Sequence, residues 1–326
     1  MLHVPGYCAG LPAGCGIPQG IQGSTTADGR SWSPLRTLVT FTAPPNCSSI
    51  WKPGYCGWST PAIASSANLE HLVGIIKVFP FGDFAIELDW NGQDFNWRSA
   101  ATPRPAFIGS GMEYPQRGVD SGGTCSPITL DSGRTVFSFE WDNFSAPDGS
   151  SQHANATLCY KDRDAASWNL SSTQAPVGHP VRNGVIKCDG ANEPSSVELN
   201  NGSLLTFIRT QTGYLWQALS TDGGATLSAA TPTQFVSSDS PPLLLRLRHP
   251  YWHSMRHEPG IGLQAILLLW INGDTSMPLA CIDSSSDCAY ATRFILHAAI
   301  SLDDGRSWLG FREVYLYPYL RSPPAS

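Results

Sequence analysis

Apolar residues in this chain come in short, strand-length stretches separated by Gly, Pro, Asn and Asp. Residues 135–141 (TVFSFEW) and 295–300 (ILHAAI) read as β-strands, and the longest apolar run, 262–271 (GLQAILLLWI), is only about ten residues. Two segments carry nearly the same message: Leu130-Asp131-Ser132-Gly133-Arg134-Thr135-Val136-Phe137 and Leu199-Asn200-Asn201-Gly202-Ser203-Leu204-Leu205-Thr206-Phe207. Each predicts a strand, a tight Asp/Asn-Gly turn and a second strand, which is a β-hairpin.

The pattern is periodic. Pro61, Pro127, Pro194 and Pro259 each open an apolar stretch, at steps of 66, 67 and 65 residues. Four short antiparallel strands per period describe a propeller blade, and 326 residues hold about five such units. The reading is an all-β chain, 1–326, forming a single β-propeller domain. A second marker agrees. Ser301-Leu302-Asp303-Asp304-Gly305-Arg306-Ser307-Trp308 fits Ser-x-Asp-x-Gly-x-x-Trp, the Asp-box, at every defined position. Residues 220–227 (STDGGATL) fit it with Leu in place of Trp, and 25–32 (TTADGRSW) with Ala27 in place of Asp. The motif suits a hairpin turn: Asp and Ser cap turn amides, Gly supplies positive φ, and Trp packs under a neighbouring strand.

Composition removes other classes. With 31 Gly, 26 Pro and 14% charged residues, a coiled coil or helical solenoid is excluded. A net charge of −6 without a basic run argues against nucleic acid as a partner. The basic residues are 16 Arg and 4 Lys, and guanidinium forks bind carboxylates bidentately. No apolar run is long enough for a transmembrane helix, and residues 1–16 lack the charge and apolar core of a signal peptide. Yet five Asn-x-Ser/Thr sequons occur, at Asn46, Asn143, Asn155, Asn169 and Asn201, together with nine Cys. Cys8/Cys15, Cys47/Cys56 and Cys281/Cys288 are spaced unlike metal ligands, so short-range disulfides in a secretory compartment are expected, with no metal and no cofactor. That places the protein in the secretory lumen or outside the cell with its leader in a missing N-terminus; a cytoplasmic protein with free thiols is the alternative.

These motifs resemble the sialidase (neuraminidase) superfamily of Asp-box propellers. In that family a Glu precedes by a fixed distance an Arg that ends an inner strand, and residues 193–209 (EPSSVELNNGSLLTFIR) are similar, with Glu193 sixteen positions before Arg209. The resemblance implies that Arg209 belongs to the carboxylate-binding arginine triad and that Glu193 raises the basicity of a nucleophilic Tyr. Arg293, ten residues before Asp303 of the perfect Asp-box, resembles the third triad arginine. The first triad arginine and its following catalytic Asp have no counterpart before Arg104, where Arg30 and Arg36 only flank the degenerate Asp-box and Asp28 reads as a turn residue. The family's six blades exceed the five counted, so the first and last blades are expected to be incomplete. The edges of an open ring invite a partner or a second copy.

Remaining candidates come from loops. Asp120, with Arg117 in the Gly-flanked stretch 117–123 (RGVDSGG), is the replacement for the general acid; a turn cap is the other reading. Arg248, His249, His257 and Glu258 lie in a long polar segment, 246–258, read as a loop at the channel mouth, with Glu258 at the position in its repeat that Glu193 holds. Tyr290 and Tyr315 are the tyrosines weighed against Glu193. The implied activity is exo-α-sialidase-type hydrolysis, with retention, of a terminal carboxylated sugar, making sialylated or other acidic glycans the partners. A non-catalytic carbohydrate-binding propeller that has lost the nucleophile, and a polysaccharide lyase or other glycosidase on the same scaffold, remain open.

Overall fold

Leu204–Arg209 is buried along almost its whole length because both of its faces meet another sheet. Leu204 and Ile208 join Leu130, Val136, Ala156, Leu158, Ala218 and Leu227 in one core cluster. Leu205 and Phe207, on the opposite face, join Leu215, Phe235, Leu268, Trp270 and Trp308 in a second. A strand covered on both sides has no reason to alternate apolar with polar, hence the continuous Leu-Leu-Thr-Phe-Ile.

The computed structural model describes residues 2–3, 19–24, 30–34, 36–41, 57–58, 62–65, 71–79, 82–90, 95–97, 104–105, 118–120, 127–143, 153–163, 165, 168–173, 181–182, 185–186, 191–210, 212–237, 240–247, 265–272 and 295–316. Among them all regular structure is β, and every strand pairing is antiparallel. Two four-stranded sheets are meanders in sequence order: Asn192–Glu198, Leu204–Arg209, Tyr214–Ser220 and Thr231–Val236, then Leu243–Leu247, Ala265–Ile271, Ile295–Ser301 and Leu309–Leu316. Before them comes a five-stranded sheet of Gly118–Asp120, Ile128–Thr129, Thr135–Asn143, His153–Lys161 and Asn169–Leu170. A six-stranded sheet spans 57–105, a three-stranded one 2–41, and Val181–Arg182 with Val185–Ile186 forms a short ribbon. This is the all-β architecture of antiparallel meanders, a β-propeller, expected from the repeats.

Successive sheets touch through their first strands and their turns. The Ser138 hydroxyl donates to Pro194 O (3.1 Å), and Leu244 N donates to the Ser195 hydroxyl (3.0 Å). Arg246 ties three sheets at once: its Nη1 donates to Glu198 Oε2 (2.6 Å) and its Nη2 to Asp131 Oδ2 (2.9 Å), while Asp131 N donates to Glu198 Oε2 (2.9 Å). Arg246, the first residue of the polar segment 246–258, lies not in a loop but inside the strand Leu243–Leu247.

The Asp-boxes are the second seam. In the perfect copy Ser307 N and Ser307 Oγ donate to the Asp303 carboxylate (2.8 and 2.6 Å), and Gly305 N donates to Ser301 Oγ (2.8 Å). The 220–227 copy repeats this bond for bond through Thr226, Asp222, Gly224 and Ser220. Each turn docks on the hairpin of the preceding sheet. Asp304 Oδ1 accepts from Asn200 N (3.1 Å) and Nδ2 (2.7 Å), and Arg134 Nη1 donates to the carbonyls of Asp222 and Gly223 (3.1 Å each). Trp308 then packs against Phe207 and Phe235, at ring separations of 5.7 and 5.3 Å. Leu227, its counterpart, fills the equivalent place in the preceding interface. The 25–32 copy also falls between two paired strands, Gln19–Gly23 and Arg36–Phe41, but its Trp32 is half exposed.

The repeat built on prolines breaks at its fourth member. Pro194 lies inside the first strand of its sheet, whereas the next sheet begins at Leu243 and Pro259 falls between its first and second strands. Leu243–Leu247 is joined to Ala265–Ile271 by a long segment where the previous sheet has a tight turn, so spacing alone misaligned the copies.

Two predictions follow from the turns. Gly202 and Gly305 both have positive φ (81° and 80°), but a Cβ on Gly202 meets nothing within 4 Å while one on Gly305 would sit 2.7 Å from Leu205 Cδ2, a core atom. Gly202→Ala is expected to cost about 1 kcal/mol and Gly305→Ala about 3 kcal/mol in urea unfolding; equal losses would contradict the docking of this turn on Leu205. Burial works to raise the carboxyl pKa of Asp303, but the hydrogen bonds from Ser307 and Ser301 outweigh it and hold the pKa below 3.8; Asp222 behaves likewise through Thr226 and Ser220. A lowered folded pKa contributes stability that is complete above the unfolded value and is lost as pH falls through the folded one. In unfolding midpoints followed downward through about pH 4, Asp303→Asn should start less stable and lose less than the parent; an unchanged pH slope would remove Asp303 from this role.

Candidate active site

The sheets have two distinct ends. Register puts Glu198, Leu204 and Ser220 at one, with the hairpin and Asp-box turns, and Asn192, Arg209 and Tyr214 at the other. The Asp-box end holds a cavity of about 650 Å³ lined by Asp131, Arg134, Arg163, Glu198, Asn201 and Asp222 among others. Several of its charges are already engaged: Arg134 is paired with Asp162 (2.6 Å) and stacked on Tyr160, and Glu198 is paired with Arg246 of the next sheet.

At the opposite end stands the Glu193–Arg209 pair. Arg209 closes its strand, and its Nη1 donates to Glu193 Oε2 at 2.6 Å; the two side chains are 14% and 20% exposed. The pair is thus largely withdrawn from water yet still open to it, where charge-assisted bonds are strong. Glu193 reaches this place by a backbone irregularity. Asn192 pairs with Arg209 and Ser195 with Phe207, so Glu193 and Pro194 together face the single residue Ile208, a β-bulge. Glu193 has φ of 38°, a conformation that costs a non-glycine residue about 1–3 kcal/mol. A proline follows it and narrows its choices further. Bulges re-aim side chains beside functional sites, and such strain persists only where surrounding structure enforces it.

Asp120 shares this end. It pairs with Glu140, which stands ten residues after Leu130 as Arg209 stands ten after Leu199, in hairpins closed by matching bonds, Leu130 N to Arg134 O and Leu199 N to Ser203 O. Asp120 therefore sits, in strand register, where Asn192 sits in the next sheet, and it is part of a strand rather than a turn. Arg117 immediately precedes that strand and lies outside the described residues. Arg293 and Tyr290 also lie outside them, in the segment between Ile271 and Ile295; both flanking positions are at the Glu193 end of their sheet.

One of the weighed tyrosines is placed by the structure. Tyr315 is on the outermost strand of its sheet, 55% exposed, three strands from the innermost, which is about 14 Å of sheet. It does not serve Glu193. Arg248, His249, His257 and Glu258 lie outside the described residues. The bulge itself was missed in the sequence, although Glu193-Pro194 at a strand start, where proline cannot donate to the ladder, was its signal.

A profile of the BNR repeat-like domain family matches residues 114–316. No curated protein matches the chain. Among solved structures its fold is similar to a protein of unknown function from Dyadobacter fermentans (15% identity, TM-score 0.57, covering 91% of this chain and 72% of that one). It is also similar to Trypanosoma rangeli sialidase in complex with the inhibitor DANA (12%, 0.56, 92% and 44%) and to a variant of NanB sialidase from Streptococcus pneumoniae (13%, 0.55, 92% and 57%). The chain spans about half the length of these two sialidases, and at such identities the likeness is one of fold. No helix among the described residues is long and apolar enough to cross a membrane. The profile covers well over half of the sequence and takes in both four-stranded sheets, two Asp-box turns and the Glu193–Arg209 pair; the chain belongs to the BNR repeat-like domain family, on a sialidase-type β-propeller.

Proposed function

We propose that this protein is a sialidase-type glycoside hydrolase that removes a terminal carboxylated sugar from acidic glycans. The observation that carries the reading is the Glu193–Arg209 pair, held on a strained bulge at the end of the sheets away from the Asp-box turns. Arg209, joined by Arg293, clamps the substrate carboxylate; a planar guanidinium matches it with two parallel bonds. Tyr290 is the nucleophile. Its hydroxyl attacks the anomeric carbon, its proton passes to Glu193, and Asp120 protonates the departing glycosidic oxygen. Water, deprotonated by Asp120, then breaks the tyrosyl bond, and the tyrosine regains its proton from Glu193. Two displacements retain configuration, with a tyrosine replacing the carboxylate nucleophile usual among retaining glycosidases. A neutral phenol suits an anomeric centre that already bears a carboxylate, because an anionic nucleophile would be repelled.

Purified protein should hydrolyse a fluorogenic sialic acid glycoside, and Arg209→Ala should lower kcat/KM by at least about 100-fold with the thermal transition retained. Tyr290→Phe should abolish turnover. A folded parent protein without turnover, or an Arg209→Ala variant as active as the parent, would overturn the assignment.

A further inference from the structure

The strained bulge has a specific holder. Glu193 and Pro194 interrupt the ladder between Asn192 and Ser195, and the two residues that follow Glu193 are each bonded to a different neighbouring sheet, Pro194 through its carbonyl and Ser195 through its side-chain hydroxyl. From the preceding sheet, the Ser138 hydroxyl donates to Pro194 O at 3.1 Å. From the following sheet, Leu244 N donates to the Ser195 hydroxyl at 3.0 Å. Both serines are buried, at 1% and 4% exposure. Ser138 is the one polar side chain between Val136 and Phe139 in a strand whose described residues from Thr135 to Ser138 are all buried. A hydroxyl placed there needs a partner, and the partner it has is the carbonyl directly after Glu193.

We propose that Ser138 is a positioning residue for Glu193: its hydroxyl fixes the Pro194 carbonyl and thereby keeps the Glu193 carboxylate against Arg209. Ser195, the next residue, ties the same end of the bulge to the following sheet through its own hydroxyl. The orientation of the carboxylate is then set by how three consecutive sheets pack, without Ser138 touching the substrate. The inference rests on the hydrolase reading for its kinetic consequence, but not for its structural one.

Two measurements separate these. In turnover, Ser138→Ala should lower kcat about 10-fold or more with a smaller change in KM, Ser138→Thr should recover most of the loss, and Leu158→Val, a core change of the same sheet, should leave kcat near the parent value. In a Glu193→Gln background Ser138→Ala should add little, because the two act through one group. Additive losses would overturn the proposal. The second readout needs no substrate: the guanidinium NMR resonances of Arg209, assigned by their loss in Arg209→Lys. In Ser138→Ala they should move toward their positions in Glu193→Gln; in Leu158→Val they should not. If they stay where the parent has them, Ser138 does not hold the pair, whatever the activity. If they move while the parent lacks turnover, the positioning stands and the hydrolase reading falls.

Discussion

Arg246 is the residue on which three sheets converge. One nitrogen of its guanidinium meets Glu198 in the sheet before its own, the other meets Asp131 one sheet further back, and the backbone amide of Asp131 closes the triangle on the Glu198 carboxylate. Arg246 and Glu198 have side chains only 11% and 7% exposed. Such a buried pair adds little net stability over an apolar replacement, but loss of one member strands the other charge in the interior. Its effect here is geometric. A planar fork accepted by two carboxylates fixes how far each sheet is rotated and shifted against the next.

That constraint divides the molecule into an end of interlocked turns and an end that carries the Glu193–Arg209 pair. Around Arg246 the hairpin and Asp-box turns interlock, each Asp-box leaning on the previous hairpin and burying Trp308 or Leu227 beneath it. With registration secured there, the opposite end can carry an irregular backbone. Glu193, at positive φ before a proline, is the sort of position an independent strand would not keep; between two neighbours bonded to Pro194 and Ser195 it is enforced. Among the described non-glycine residues only Asp304, in an Asp-box turn, shares a positive φ with Glu193, whose carboxylate meets Arg209.

Much of the scaffold was legible in the sequence. Asp-Ser-Gly and Asn-Asn-Gly mark hairpins because their turns require Gly133 and Gly202 at positive φ, and the Asp-box is written in side chains that bond within eight residues. Glu193 and Arg209 were singled out by the resemblance of residues 193–209 to a sialidase stretch, in separate roles; their bond to each other is seen only in the structure. What failed was inference across long segments. Pro259 matched the period of Pro194 yet lies beyond the first strand of its sheet, and Arg246 read as loop because histidines and arginines follow it. The tie between Asp131, Glu198 and Arg246 joins residues more than a hundred positions apart and leaves no local trace. Tyr315, near the perfect Asp-box in sequence, was carried outward by the meander to the edge strand.

In the proposed reading the Glu193–Arg209 end, and not the cavity at the Asp-box end, receives a carboxylated sugar. The most direct measurement is a crystal structure of the protein soaked with DANA, the inhibitor seen bound to Trypanosoma rangeli sialidase. The predicted result is the inhibitor's carboxylate within hydrogen-bond distance of the Arg209 guanidinium, with Glu193 still on its bulge. Inhibitor bound among Asp131, Arg134 and Asn201 instead, or an Arg209 that no inhibitor reaches at saturating concentration, would contradict it.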